Sequence, residues 1–443
     1  MCQFYFVHIY RFDYNEIVGL IKNYQKLATT GSRKVVLDLV EAALAAIQPE
    51  VVFAKHFVLD GRMLKILDVV INLSKYDRIL LLGFGKGSAG NCQIAERLLG
   101  NKLSAGYVID VSEQNFSRVE FTLGTHPLPS AANIEFTKKV TADFSTLSER
   151  DLVIIITCGG GSALFEEPRI PLEKLRVVDK ALLESGADIA EMNIVRKHLS
   201  KVKGGGLAKI ISPATVVNLI FSDVAGNDLT VIASGPTVLD PTTCDDAWKI
   251  ISKYQIDSKV SISREDFIET PKDKNIFDKI HNILFLSNLT ALNAMKSKAT
   301  DLGINAQILT DHFQGNADGA GKQLIDQAKP GSVLLAGGET TVKVKSSGQG
   351  GRNQELVLAA LADVSDKTTI VSFDSDGWDN CELAGAIGDK NTIEHARALN
   401  FDPQLFLNKN DTLNFFKQSG DGIETGRLPA NVSDLMIVYK SNE

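Results

Sequence analysis

Short, mostly apolar runs recur along the chain: Arg78 to Phe84 (RILLLGF), Asp151 to Thr157 (DLVIIIT) and Thr215 to Phe221 (TVVNLIF). Runs without polar alternation predict strands covered on both faces, as in a parallel sheet wrapped by helices. Helical patterns lie between them, one of them running to Leu99. Ahead of them, residues 14 to 75 read as helix, with Val36, Leu39, Val40, Ala43 and Leu44 forming a stripe that should pack on a later sheet. A polar, charge-rich stretch from Lys253 to Asn282 then breaks the pattern. A second series follows: strands at Ile283 to Leu286, Ala306 to Leu309, Val333 to Ala336, Thr369 to Phe373 and Leu435 to Tyr439, with helices between. The expected fold is therefore α/β in two α/β domains: residues 1–256, a linker at 257–280, and residues 281–443. The first should be a doubly wound, Rossmann-like, mostly parallel sheet, and the active site should lie in the interdomain cleft, because strand carboxyl ends and their loops share one edge.

The loops at those ends carry the chemistry. RILLLGF runs into Gly85-Lys86-Gly87-Ser88-Ala89-Gly90, and DLVIIIT into Cys158-Gly159-Gly160-Gly161-Ser162. Strand, glycine turn and helix place unpaired N–H groups at a helix start, which suits an anion. The first turn also matches GxGxxG, with Asp110 at the end of the next strand, as a dinucleotide site would require. Lys86 within that turn instead favours an anion that must be neutralised during reaction. A third glycine region, Gly337-Gly338-Glu339-Thr340-Thr341, is expected to open a hairpin whose second strand spans Val342 to Lys345. A further glycine cluster leads into a helix beginning near Asn353, where Arg352 offers a planar fork for carboxylate or phosphate oxygens.

Three further groups join this set. Asn193, Arg196, Lys197 and Ser200 share one helical face and Lys203 follows, a candidate basic wall over the glycine turns. Asp223 and Asp228 follow the TVVNLIF strand; their spacing suits a hard divalent cation, and either carboxylate could instead take a proton from a hydroxyl. Asp376, in the acidic turn Asp374 to Asp379, is a candidate for metal or a nucleotide hydroxyl.

Net charge of −7 argues against a general nucleic-acid binder. Five scattered cysteines without CxxC spacing indicate neither a disulfide framework nor a zinc site, and a reducing cytoplasm fits them. Phe4 to Tyr10 is apolar but short, so neither a signal peptide nor a membrane span is expected.

Taken in order, the phrases GFGKGSAG, THPLPS, CGGGSALFEEP, EMNIVRKHLSKVKGGGLAK, FSDVAGNDLTVIASGPTVLDPTT, GGETTVKV, GQGGRNQE, SDGWDN and NDTLNFF resemble the glycerate 2-kinase family, whose C-terminal region is the MOFRL domain. The resemblance implies ATP-dependent phosphorylation of D-glycerate at its 2-hydroxyl, giving 2-phosphoglycerate, between two α/β domains. It also implies catalytic roles for Lys86, Asp223 and Arg352. Phosphoryl transfer of this kind calls for Mg²⁺, with Asp223 and Asp228 as the candidate ligands. Ser88, Asn193, Arg196 and Lys203 are expected at the substrate. Gly159 to Ser162, Gly337 to Thr341 and Asp376 are expected at the nucleotide. Arg427 to Pro429 stand where the family usually carries small residues. The expected partners are the small molecules D-glycerate and ATP, with no nucleic acid and no membrane; monomer and homodimer both remain open. An NAD(P)-dependent hydroxypyruvate reductase is the alternative, resting on GxGxxG and Asp110.

Overall fold

The structure, a computed structural model, describes residues 19–442. Phe4 to Tyr10 and the first residues of the expected 14–75 helical region lie outside them. Two six-stranded sheets organise the chain. In the first, all neighbours are parallel, in the order Val119–Leu123, Ala105–Asp110, Arg78–Phe84, Asp151–Thr157, Thr215–Phe221, Ile280–Leu286. The central strands are buried along nearly their whole length, which is why they read as continuous apolar runs. The second sheet is mixed, in the order Asn305–Asn316, Ser332–Thr341, Asp434–Lys440, Thr368–Asp374, Gly385–Gly388, Gly422–Ile423. Its first pair is parallel and the rest are antiparallel.

The predicted helical stripe is confirmed over Gly31–Ala46, where Val36, Leu39, Val40, Ala43 and Leu44 are all buried. This helix packs against the second sheet, beside the helix Asn288–Asp301. Arg33 fixes it there: fully buried, the guanidinium grips Asp389 with two bonds of 2.7 Å and Asp421 with one of 2.8 Å. A charge so deeply buried is tolerable because both partners are anionic and a third acceptor, Thr392 Oγ1, lies at 2.9 Å.

Three expectations change. Residues 57–72 form an antiparallel meander of Phe57–Asp60, Met63–Ile66 and Val69–Asn72 rather than helix. Burial there alternates along Met63–Ile66, a period of two that the helical reading overlooked, and Gly61, at φ +56°, makes the first turn. The strand Ile280–Leu286 joins the first sheet as its edge, parallel to Thr215–Phe221, so the first sheet extends beyond the expected linker. Gly337 and Gly338 lie inside one continuous strand, not at the start of a hairpin. A Cβ on Gly338 would lie 2.1 Å from Phe313 O of the neighbouring strand, so glycine serves close strand packing there.

Candidate active site

The two sheets bring loops from each lobe to a common cavity of about 350 Å³. From the first sheet come Lys86, Gly159 and Asp223, which follow three laterally adjacent strands. From the second lobe come Asp376 and the segment Arg427 to Asn431. Phe221 forms part of the lining and packs at 6.0 Å from Phe53 and 5.4 Å from Phe285, so the wall behind Asp223 is aromatic and rigid. A wider neighbouring cavity of about 540 Å³ shares Pro49, Gly87, Asn91, Ser112 and Pro429 with it.

The strand ends meet tightly. Lys86 N donates to Gly159 O at 2.8 Å, and a Cβ on Gly85 would lie 2.4 Å from Cys158 O. A Cβ on Gly159 would fall 1.9 Å from Asp223 Oδ2, and one on Gly160 would meet both His126 Cδ2, at 2.8 Å, and Lys86 Cε, at 3.3 Å. Lys86, His126 and Asp223 are thus gathered around one turn that only glycine can make. The Gly159 and Gly160 N–H groups have no hydrogen-bond partner among the described residues. Burial raises the proton affinity of Asp223, with Glu339 adding to the rise and Lys86 opposing it. Burial and the Lys86 charge together lower that of His126. Lys86 itself is exposed, and no described residue forms a hydrogen bond or ion pair with its ammonium.

Arg352 stands behind this cavity rather than among its lining residues. Its fork holds Asp434 at 2.6 and 3.0 Å, Glu339 at 2.6 Å and Asp374 at 3.2 Å. Burial disfavours its charge, but those three carboxylates outweigh burial and raise its proton affinity. Register explains the cluster, since Gly338, Asp374 and Asp434 lie opposite one another across adjacent strands of the second sheet. Glu339 connects Arg352 to the cavity, being within electrostatic reach of Asp223. Ser433 Oγ also donates to Asp223 O at 3.1 Å, a bond between the lobes.

Two of the expected anion sites are filled by the protein's own carboxylates. Asp110, 1 % exposed, accepts the Ala89 N–H at 2.9 Å at the start of helix Ser88–Leu99. Asp379, equally buried, accepts the Asn353 and Gln354 N–H groups at 3.1 and 2.9 Å at the start of helix Arg352–Ala360. In both places the helix dipole meets a resident anion. The second turn keeps the Gly159 and Gly160 N–H groups without a partner among the described residues, beside the cavity that Gly159 lines.

The remaining predicted residues divide in the same way. Ser88 is fully buried and donates to Ile109 O at 3.1 Å. The basic wall is neutralised residue by residue: Arg196 by Asp179 at 2.8 Å, Lys197 by Asp240 at 3.4 Å, and buried Lys203 by Glu166. Asn193 meets Ser234 Oγ at 3.5 Å, and Ser234 meets Ser162 at 2.5 Å, so the helix Ile189–His198 supports the glycine turn from behind. Gly337 packs against Asn288, Thr340 is buried, and Thr341 Oγ1 reaches Gly315 O at 3.4 Å. Asp376 lines the cavity. Asp228 is exposed and caps its own turn, accepting Thr230 N and Oγ1 at 2.8 Å. One trio of metal-type side chains occurs among the described residues, His198, Cys244 and Glu269, but Lys272 already holds Glu269 at 3.3 Å. Sequence reasoning missed two residues at the cavity: Arg427, which lines it, and Asn91, which is buried between the two cavities and contacts Cys158 Sγ at 3.5 Å. The substitution of Arg427 for a small residue was the signal available for the first; nothing in the sequence marked the second.

Two α/β lobes with charged loops converging on a polar cleft define an enzyme that acts on small anionic molecules. Residues 35–269 match a domain of unknown function, DUF4147, and residues 332–434 match the MOFRL family. The chain is 36 % identical over 423 residues to the D-glycerate 2-kinase of Thermotoga maritima, covering 91 % of this chain and 97 % of that one. It is 34 % identical over 431 residues to a putative hydroxypyruvate reductase of Agrobacterium vitis, covering 92 % and 94 %. The crystal structure of the Thermotoga maritima glycerate kinase superposes with a TM-score of 0.82 at 34 % identity, covering 92 % of this chain and 99 % of that one. The chain belongs to the glycerate 2-kinase family.

Proposed function

We propose that this chain transfers the terminal phosphoryl group of ATP to the 2-hydroxyl of D-glycerate, giving 2-phosphoglycerate and ADP. The observation that carries this reading is the approach of Lys86 and Asp223 to one glycine turn with free N–H donors, opposite Asp376. Asp223 accepts the hydroxyl proton as the new oxygen–phosphorus bond forms; its raised proton affinity suits it to that work at neutral pH. The bond between the terminal phosphorus and the bridging oxygen breaks, and ADP leaves. Lys86, free of any partner among the described residues, neutralises charge on the transferred group, and the Gly159 and Gly160 N–H groups bind its oxygens.

The carboxylates lining the cavity are of the type a hard divalent cation prefers. Magnesium would be held by Asp376, with ligand phosphates as further donors, and when bound supplies charge neutralisation at the phosphates. Asp228 is left out of that set, because it is not among the residues lining the cavity and its Oδ1 accepts both the N–H and the hydroxyl of Thr230. Arg352 acts by positioning, holding Glu339, Asp374 and Asp434 at the edge of the second sheet.

Against the reductase alternative stands Asp110, which accepts the Ala89 N–H at the GxGxxG helix start, a donor that a pyrophosphate would need. The test is incubation with D-glycerate, ATP and Mg²⁺, with phosphorus NMR to identify the product, beside an assay of NADH oxidation by hydroxypyruvate. 2-Phosphoglycerate without NADH oxidation supports the kinase; the converse would replace it.

A further inference from the structure

We infer that Arg427, laid against Trp378 and lining the same cavity as Lys86, forms with it an anion subsite for a carboxylate or phosphate group of the ligand. The inference rests on the kinase reading and adds a binding group that the reading did not contain.

Charge accounting within the cavity comes first. Its lining contains two cations, Lys86 and Arg427, and two acids, Asp223 and Asp376. Every other basic residue expected at the site is already neutralised: Arg352 by three carboxylates, Arg196 by Asp179, Lys203 by Glu166. Arg427 has no hydrogen bond or ion pair among the described residues. Its one contact of charge type among the described residues is with the Trp378 ring, whose centroid lies 4.0 Å from the guanidinium carbon.

That contact determines what the guanidinium can still do. Stacking occupies one face of the planar group and leaves the N–H donors along its edges unused. Edge donors in a fixed fork match the two oxygens of a carboxylate, or two oxygens of a phosphate. The stack also confines a long side chain that would otherwise lose conformational freedom on binding.

The backbone around Arg427 is held at both sides. Lys22 N donates to Glu424 O at 2.7 Å, Leu428 N to Asp376 O at 2.7 Å, and Val432 N to Ser375 Oγ at 2.8 Å. Gly377, at φ +79°, lets the segment approach, since a Cβ there would lie 2.0 Å from Gly426 O. The loop carrying Trp378 and the segment carrying Arg427 are therefore one built unit, tied to the carboxylate-bearing residue Asp376.

The experiment uses the full chain as wild type, Arg427→Ala, Arg427→Lys and Trp378→Leu. It measures kcat and KM for D-glycerate and for ATP, calorimetric binding of each alone, and thermal stability. Arg427→Ala should weaken binding of one of the two anions about tenfold or more, with kcat within about threefold, as expected for loss of a charge-assisted fork. The melting temperature should move little, because Arg427 is exposed and, among the described residues, has no hydrogen bond or ion pair to lose, only its contact with Trp378. Arg427→Lys should recover part of the affinity, and Trp378→Leu should shift the same constant in the same direction. A loss confined to D-glycerate assigns the carboxylate; a loss confined to ATP assigns a phosphate. Affinities for both within twofold of wild type in Arg427→Ala, or a fall in kcat at unchanged affinities, overturn the subsite. An inactive wild type that binds neither molecule instead overturns the kinase reading, and the subsite with it.

Discussion

Arg352 holds Asp434 through Nε and Nη2, at 2.6 and 3.0 Å, and Asp434 is completely buried. Residues 82 positions apart in sequence thereby tie the start of helix Arg352–Ala360 to the strand Asp434–Lys440, outside the cavity lining. Burial raises the proton affinity of Asp434, and Arg352 and Asn353 hold the carboxylate ionised against it.

That arrangement makes Arg352 a residue of stability as much as of function. Arg352→Ala should lower unfolding free energy by about 3 kcal/mol, because it strands Asp434 and Asp374 as buried carboxylates without a cation. Chemical denaturation would show the loss, and activity should fall with it. A variant of unchanged stability would show that Asp434 finds compensation elsewhere.

Lys86→Ala should do the opposite. The ammonium has no partner among the described residues to lose, so stability should hold while kcat falls about a hundredfold, roughly 3 kcal/mol of barrier. Thermal melting and steady-state rates on the same preparation separate the two variants.

The pH profile follows from Asp223. Its folded proton affinity is raised, chiefly by burial, so the working carboxylate form is lost as pH falls through a value above the ordinary carboxylate pKa of about 4. The rate should rise with pH on the acid side and then level. His126, whose proton affinity is lowered by burial and by Lys86, also loses its charge on the acid side, so the Asp223 variant is what separates the two groups. Asp223→Asn should abolish the limb along with most of the rate. A limb that survives in the variant would assign the proton to another group.

Gly159→Ala tests the close packing of strand ends. Its Cβ would collide with Asp223 Oδ2 at 1.9 Å, so the carboxylate must move, and activity should fall by an order of magnitude or more. Gly319→Ala is the control: it sits in the helix Ala317–Gln327 with nothing within 4 Å of the added carbon, and it should leave rates unchanged.

Much of the site was legible because it follows from local order. Parallel strands with continuous apolar runs must place their carboxyl ends together, so Lys86, Gly159 and Asp223 were expected side by side and are found so. What stayed hidden depends on distant pairing. A glycine turn before a helix cannot reveal that Asp110 or Asp379 fills it, because each carboxylate arrives from another strand or loop, 21 and 26 residues away respectively. Arg352 read as a free fork for the same reason. The edge strand Ile280–Leu286 followed a polar stretch and looked like the start of a new unit; only sheet pairing assigns it to the first. The meander at 57–72 was masked by its short strands, whose apolar residues fit a helical stripe almost as well.

The most direct test of the central claim is a phosphorus NMR time course with D-glycerate, ATP and Mg²⁺, run on wild type and Lys86→Ala at matched folded concentration. The arrangement of Lys86 and Asp223 predicts 2-phosphoglycerate from the wild type and about a hundredfold slower formation of the same product by the variant. Product phosphorylated at the 3-position, or near-wild-type turnover without Lys86, would contradict it.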